Sequence, residues 1–139
     1  MKIWFTISAM LVTALTQHSN SQINYTRVSG FDHGSVLKFS PDGKLLISGA
    51  NSKIGIWIPS TGKLSQTFSI GNAKDINDIV FLAEDTLAIS NNSDDILIYD
   101  IKNNMVTSKF KGHTGKVTYI EINDDANRLF SSSMDHTTI

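Results

Sequence analysis

The three residue types of a Ser-His-Asp hydrolase stand close together near one end of this chain: His113, Asp135 and a serine at position 131 or 133. In that chemistry the histidine takes the serine's proton and the carboxylate steadies the imidazolium that results. The nucleophile of many such hydrolases is raised on a strained Gly-x-Ser-x-Gly turn, which this sequence lacks. The same three side chains can instead satisfy one another's hydrogen bonds in a buried position and so tie a loop to a strand. That structural use is the reading adopted here, and no catalytic residue is expected.

Other candidate chemistries fail on spacing. Gly112-His113-Thr114-Gly115-Lys116 combines glycine and lysine as a phosphate loop does. A phosphate loop, however, needs four residues between its first Gly and a Gly-Lys-Ser/Thr that opens a helix, whereas Val117 here begins a β-rich run. No nucleotide cofactor is therefore expected. The acidic residues Asp75, Asp78, Asp94-Asp95 and Asp124-Asp125 suggest calcium, but no segment has the Asp-x-Asp-x-Asp-Gly pattern. Asp and Asn favour turns by bonding their own backbone, so all of these read as solvated turns. The histidines at 18, 33, 113 and 136 show no metal-ligand spacing, and no metal is expected. Asn24-Tyr25-Thr26 and Asn91-Asn92-Ser93 fit the glycosylation pattern, which matters only in a chain secreted from a eukaryotic cell.

What must position these residues is a repeat. The apolar anchors Phe39, Phe81 and Ile122 lie 42 and 41 residues apart, and Trp57 and Tyr99 each follow their anchor by 18. In the first copy the predicted strands are Ser35 to Phe39, Leu45 to Ser48, Ile54 to Ile58 and Leu64 to Phe68. Turns are predicted at Ser40-Pro41-Asp42-Gly43, Asn51-Ser52-Lys53 and Pro59-Ser60-Thr61-Gly62. The second copy predicts strands at Ile76 to Leu82, Thr86 to Ser90, Ile96 to Asp100 and Met105 to Phe110. A third opens with Val117 to Ile122 and Arg128 to Ser132 and stops inside its next strand. A period of this length with four short strands matches propeller blades, which bury their faces only against neighbours.

Gly112-His113, Phe39-Ser40-Pro41-Asp42-Gly43, Ser48-Gly49-Ala50 and Ile98-Tyr99-Asp100 resemble the signature of the WD-repeat family of β-propellers. The resemblance implies an all-β fold, an incomplete β-propeller of four-stranded antiparallel blades. Blade 1 would span about 31–69, blade 2 about 70–110 and an incomplete blade 3 about 111–139. The copies depart from the family pattern in places: Ile58 follows Trp57 where the family has Asp, and Gly71-Asn72 stands where Gly-His belongs. The family's structural hydrogen-bond network joins the His of the Gly-His pair, a Ser or Thr of the second strand, the Asp of the next turn and the Trp of the third strand. These match His113, Ser131 and Asp135, while Trp57 and Tyr99 hold the aromatic place in the first two copies. Ile23 to Val28 looks like the lone outer strand that in relatives pairs with the last blade.

Ahead of the repeats, Lys2 is followed by thirteen uncharged residues, Ile3 to Leu15, rich in apolar side chains. A membrane-spanning helix needs about 20, so the run reads as a signal-peptide core, giving a chain secreted or exported to the periplasm, with cytoplasmic residence as the alternative. Cleavage after Ser21, with Ser19 at the −3 place, is preferred, and cleavage after Thr16, with Ala14 at −3, comes second. No stable membrane insertion is expected afterwards. The formal net charge of −1 gives no field for nucleic acid. The absence of cysteine excludes disulfides and thiol chemistry.

Propellers close with about 4 to 8 blades, and residues 22–139 hold fewer than three. The chain is thus expected to be a fragment of a longer exported protein, a ring of subunits being the alternative. The resemblance implies a non-enzymatic scaffold for protein partners, held by loops around Asp32, Lys74-Asp75 and Thr114-Lys116. The runner-up is the propeller domain of a secreted enzyme, such as a peptidase, with its catalytic part elsewhere; a third reading is a fragment with no activity of its own.

Overall fold

The computed structural model describes residues 10–13, 24–27, 36–71, 75–123, 125 and 128–139, with β-strands and no helix among them. β1 (Met10–Thr13) pairs antiparallel with β2 (Asn24–Arg27). Most of the expected signal segment, Asp32 and Lys74 lie outside the described residues. β2 falls where the lone outer strand was expected, and its partner is β1 rather than another blade.

Two meanders follow. β3 (Val36–Phe39), β4 (Leu46–Ala50), β5 (Lys53–Ile58) and β6 (Lys63–Ser69) form a four-stranded antiparallel sheet in chain order. β7 (Ile76–Ala83), β8 (Thr86–Asn91), β9 (Ile96–Asp100) and β10 (Met105–Phe110) form the second. β11 (Val117–Ile122) and β12 (Leu129–Ser133) begin a third, to which Ile139 adds paired backbone bonds with Ser131. One predicted turn is shorter than expected: Lys53 already belongs to β5, leaving Asn51 and Ser52 to turn the chain.

Local chemistry explains the turns. At Ser40-Pro41-Asp42-Gly43 the Ser40 hydroxyl donates to Asp42 Oδ1 at 2.7 Å and accepts from the Leu45 N–H at 2.9 Å. The Lys44 N–H donates to the same carboxylate oxygen, and with the Lys44 side chain it holds Asp42 down at about 2. Short polar side chains thus take the backbone groups that a reversing chain leaves unpaired.

The strand period of two feeds two separate cores. From β7, Ile79 and Phe81 enter the core between the first and second sheets, while Val80 enters the core between the second and third. β9 divides likewise, Leu97 and Tyr99 one way and Ile96 and Ile98 the other. In the first core the rings of Phe68 and Tyr99 stack 4.4 Å apart. A Cβ on Gly49 would come within 2.9 Å of Ile79 Cδ1, so the bare backbone there sets how closely the two sheets approach.

A backbone bond recurs between consecutive sheets. The Ile76 N–H donates to Asn51 O at 2.7 Å, and the Val117 N–H donates to Ser93 O at 2.9 Å. In both, the first residue of a sheet binds the turn between the second and third strands of the sheet before it.

Candidate functional site

The loop before β11 and the turn after β12 are fastened together through His113. Its Nδ1 lies 2.9 Å from Asp135 Oδ2 and 3.0 Å from Thr137 Oγ1, and its Nε2 lies 2.9 Å from Ser131 Oγ. With Nδ1–H directed at the carboxylate, Nε2 is left to accept from the Ser131 hydroxyl. Asp135 also accepts from the backbone N–H of Thr114 at 2.8 Å, the N–H of Thr137 at 2.9 Å and the Thr137 hydroxyl at 2.6 Å. A carboxylate so fully supplied with donors, the Thr137 hydroxyl first among them, ionises well below the ordinary range.

The loop can press this close because position 115 is glycine: a Cβ there would stand 2.9 Å from the backbone nitrogen of Asp135. The Ser133 hydroxyl donates to Gly115 O at 3.0 Å, and the Met134 N–H donates to Lys116 O at 2.9 Å. Gly112 to Lys116 is thus a clasp on the Ser133 to Thr137 turn.

Serine, histidine and aspartate line up here in the order they take in a hydrolase. Ser131 lies inside β12 at 6% exposure, and its N–H is already committed to Ile139 O. An oxyanion would require free donors beside the nucleophile. His113 and Ser131 line a groove of about 420 Å³ together with Ile96, Phe110, Leu129 and Ile139 and the charged side chains of Asp94, Lys109 and Lys111.

The two aromatics part company with His113. Trp57 Nε1–H donates to Ser48 Oγ at 2.8 Å inside the first sheet. The Tyr99 hydroxyl is hydrogen-bonded to Asn104 instead of reaching the serine of its own sheet. An indole carries its donor on the side of the ring, whereas a phenol carries it at the far tip, so the tyrosine reaches past the strand into the next turn. Burial, followed by the charge of Asp100, raises the Tyr99 phenol to about 12. The Ser90 hydroxyl donates to Asp78 O at 3.4 Å.

Asp78 corrects the expectation of a solvated turn. It sits in β7 at 5% exposure, where Oδ1 accepts from the Ile79 N–H at 2.9 Å and Oδ2 accepts from the Ile120 N–H of the third sheet at 3.1 Å. Asn77 Nδ2 donates to Val117 O at 2.6 Å beside it. These two side chains clamp β7 to β11. Desolvation raises the Asp78 carboxyl above its ordinary value, opposed by its two backbone donors.

Asp75 and Asp94 do lie in turn or loop positions, and Asp124 is outside the described residues. Among the described residues no group of three or more acidic or histidine side chains is placed to hold a metal. Asn91 is 4% exposed, with its Oδ1 accepting from the Ser93 N–H at 2.9 Å. Asn24 lies in β2.

The WD domain, G-beta repeat family matches residues 8–57 and 104–139, more than half of the chain. The chain belongs to the WD-repeat family. Its four-stranded antiparallel sheets are consistent with that family, most of the second sheet lying between the two matched segments, and the His113 clasp lies within the second of them. No curated protein matches the chain. WD-repeat domains are in general protein-interaction scaffolds without catalysis of their own.

Thr137 and Asn77 escaped the sequence reading. Thr137 had a local signal, a hydroxyl two residues after an Asp in a turn. Asn77 had none, because its partner lies 40 residues away.

Proposed function

We propose that this chain is an exported WD-repeat scaffold that holds protein partners on the rim formed by the leading ends of its blades. The observation that carries this is the set of hydrogen bonds that ties that rim to its neighbouring turns. Asp75 is exposed, with its carbonyl accepting from the Asn92 N–H at 3.1 Å and its carboxylate from Asn92 Nδ2 at 3.3 Å. Thr114 is exposed on a loop pinned by Asp135. Side chains held in place before contact lose less freedom on binding, which suits a platform.

Residues 1–21 act in this reading as a signal peptide cleaved after Ser21. Cleavage removes β1 and frees the edge of β2, and further blades of a longer chain complete the ring. Sequencing the amino terminus of the exported product tests the first point: a start at Gln22 supports it, and retention of Met1 overturns it. The mass of the native mature protein tests the second.

The scaffold itself is tested by affinity capture with the wild type and with Asp75→Lys/Thr114→Lys, both checked for folding by circular dichroism. Partners lost from the variant support the rim. An unchanged set overturns it.

A further inference from the structure

We propose that the joint between the second and third sheets is a proton-sensitive latch: Asp78 of β7 holds β11 when neutral and lets it loosen when charged, under the influence of Lys38 from the first sheet and Glu121 from the third. This goes beyond the scaffold reading, and its test reads a joint and not the rim, so either can fail alone.

The backbone aims Asp78 at the third sheet. The ladder between β7 and β8 slips by one residue, Ile76 facing Asn91 and Asp78 facing Ser90, so Asn77 is the extra residue of a bulge. The slip breaks the period of two: Ile76 enters the first core, whereas Asp78 falls on the side of Val80, which enters the second. There its Oδ2 meets the N–H of Ile120, the residue before Glu121, at 3.1 Å. The repeat itself does not call for an acid at this place. Three residues before the anchors Phe39, Phe81 and Ile122 stand Val36, Asp78 and Tyr119, and Val36 is an apolar member of the first core.

The groups around Asp78 come from the strands packed on β7. Lys38, paired with Ile47 of the first core, lies on the side of β3 turned to the second sheet. Tyr119 and Glu121 lie on β11, joined by a 2.6 Å hydrogen bond from hydroxyl to carboxylate. β4 and β8, the other strands against β7, carry no titratable side chain. Loss of water, the largest influence, and the charge of Glu121 disfavour the carboxylate, while its two backbone donors and the charge of Lys38 favour it. A neutral carboxyl stays in the joint and still offers an oxygen to Ile120. A charged one gains from water, which reaches it when β11 moves off. The folded-state pKa is the raised one, so the grip is full below the unfolded value of about 4 and is lost as pH rises through the folded value.

NMR on the isotope-labelled whole chain from pH 3 to 8 tests this, reading the Asp78 carboxyl carbon, the Ile120 amide and exchange protection with intrinsic rates divided out. The carboxyl and the Ile120 amide are expected to share one midpoint above about 4. Protection of Ile120 should fall about tenfold for each pH unit between 4 and that midpoint, while the amides of β5 in the first sheet stay level. Lys38→Met should move the midpoint up and Glu121→Gln should move it down; Lys38 is half-buried and Glu121 exposed, so neither change opens the core. Asp78→Asn should abolish the step, and should that variant not fold, the two charge variants decide. A carboxyl midpoint at or below about 4 overturns the proposal. So does Ile120 protection that stays level across the midpoint, or a midpoint that neither charge variant moves.

Discussion

The interface between the first and second sheets and the interface between the second and third are built from the same repeat but held by different chemistry. The first is a continuous apolar core running from Val36 to Ile101, closed by the Phe68–Tyr99 stack. The second has a smaller apolar core, and Asn77 and Asp78 reach across it to the backbone of β11. Apolar packing draws its strength from area removed from water. A buried carboxylate gains little net stability but fixes register, and it costs most when one partner is removed. A repeat protein can therefore vary its adhesive from one joint to the next while keeping one geometry.

The largest effect is expected at the apolar joint. Ile79→Ala, at a position 0% exposed, should cost about 2 to 5 kcal/mol in urea unfolding, and a cost below that of a surface substitution would show that this core does not hold the sheets. At the polar joint, Asp78→Ala strands the Ile120 N–H and should cost about 1 to 3 kcal/mol. Asp78→Asn keeps an acceptor and should cost less; equal costs would mean that the clamp matters only by packing. Removing His113 as alanine leaves Ser131 and Asp135 short of a partner, for about 1 to 2 kcal/mol. That loss should be read first as faster hydrogen exchange at Thr114 and Thr137, since the clasp is local.

The smallest effect separates two acids of opposite sign. Asp135 has a depressed pKa, so its contribution is present above about pH 4, the unfolded value, and is lost as pH falls toward the folded one. Asp78 has a raised pKa. Its contribution is full below about pH 4 and is lost as pH rises through the folded value. Urea midpoints from pH 3 to 7 should show Asp135→Asn flattening the acid side of the profile and Asp78→Asn steepening it.

Much of this was legible in the sequence, because local chemistry governs local structure. The period of two and the Ser-Pro-Asp-Gly turn place β3 to β12 within a residue or two of where they are found, and β9, β10 and β11 match the expected limits. His113, Ser131 and Asp135 could be grouped because a hairpin brings them together. Asp78 could not, for its burial depends on a strand 42 residues later, and an aspartate in a turn and one in a joint look alike in sequence. Tyr99 was misplaced for a stereochemical reason: position alone does not tell where a side chain carries its donor.

The paired bonds from Ile76 to Asn51 and from Val117 to Ser93 give assembly a direction. Each blade begins by taking an acceptor that exists only once the hairpin ahead of it has turned, so the earlier blade is the template for the later one. On the ribosome, where amino-terminal segments emerge first, the order of synthesis is also the order in which docking sites become ready. A stalled or shortened chain would then carry finished blades at its start and an unfinished one at its growing end.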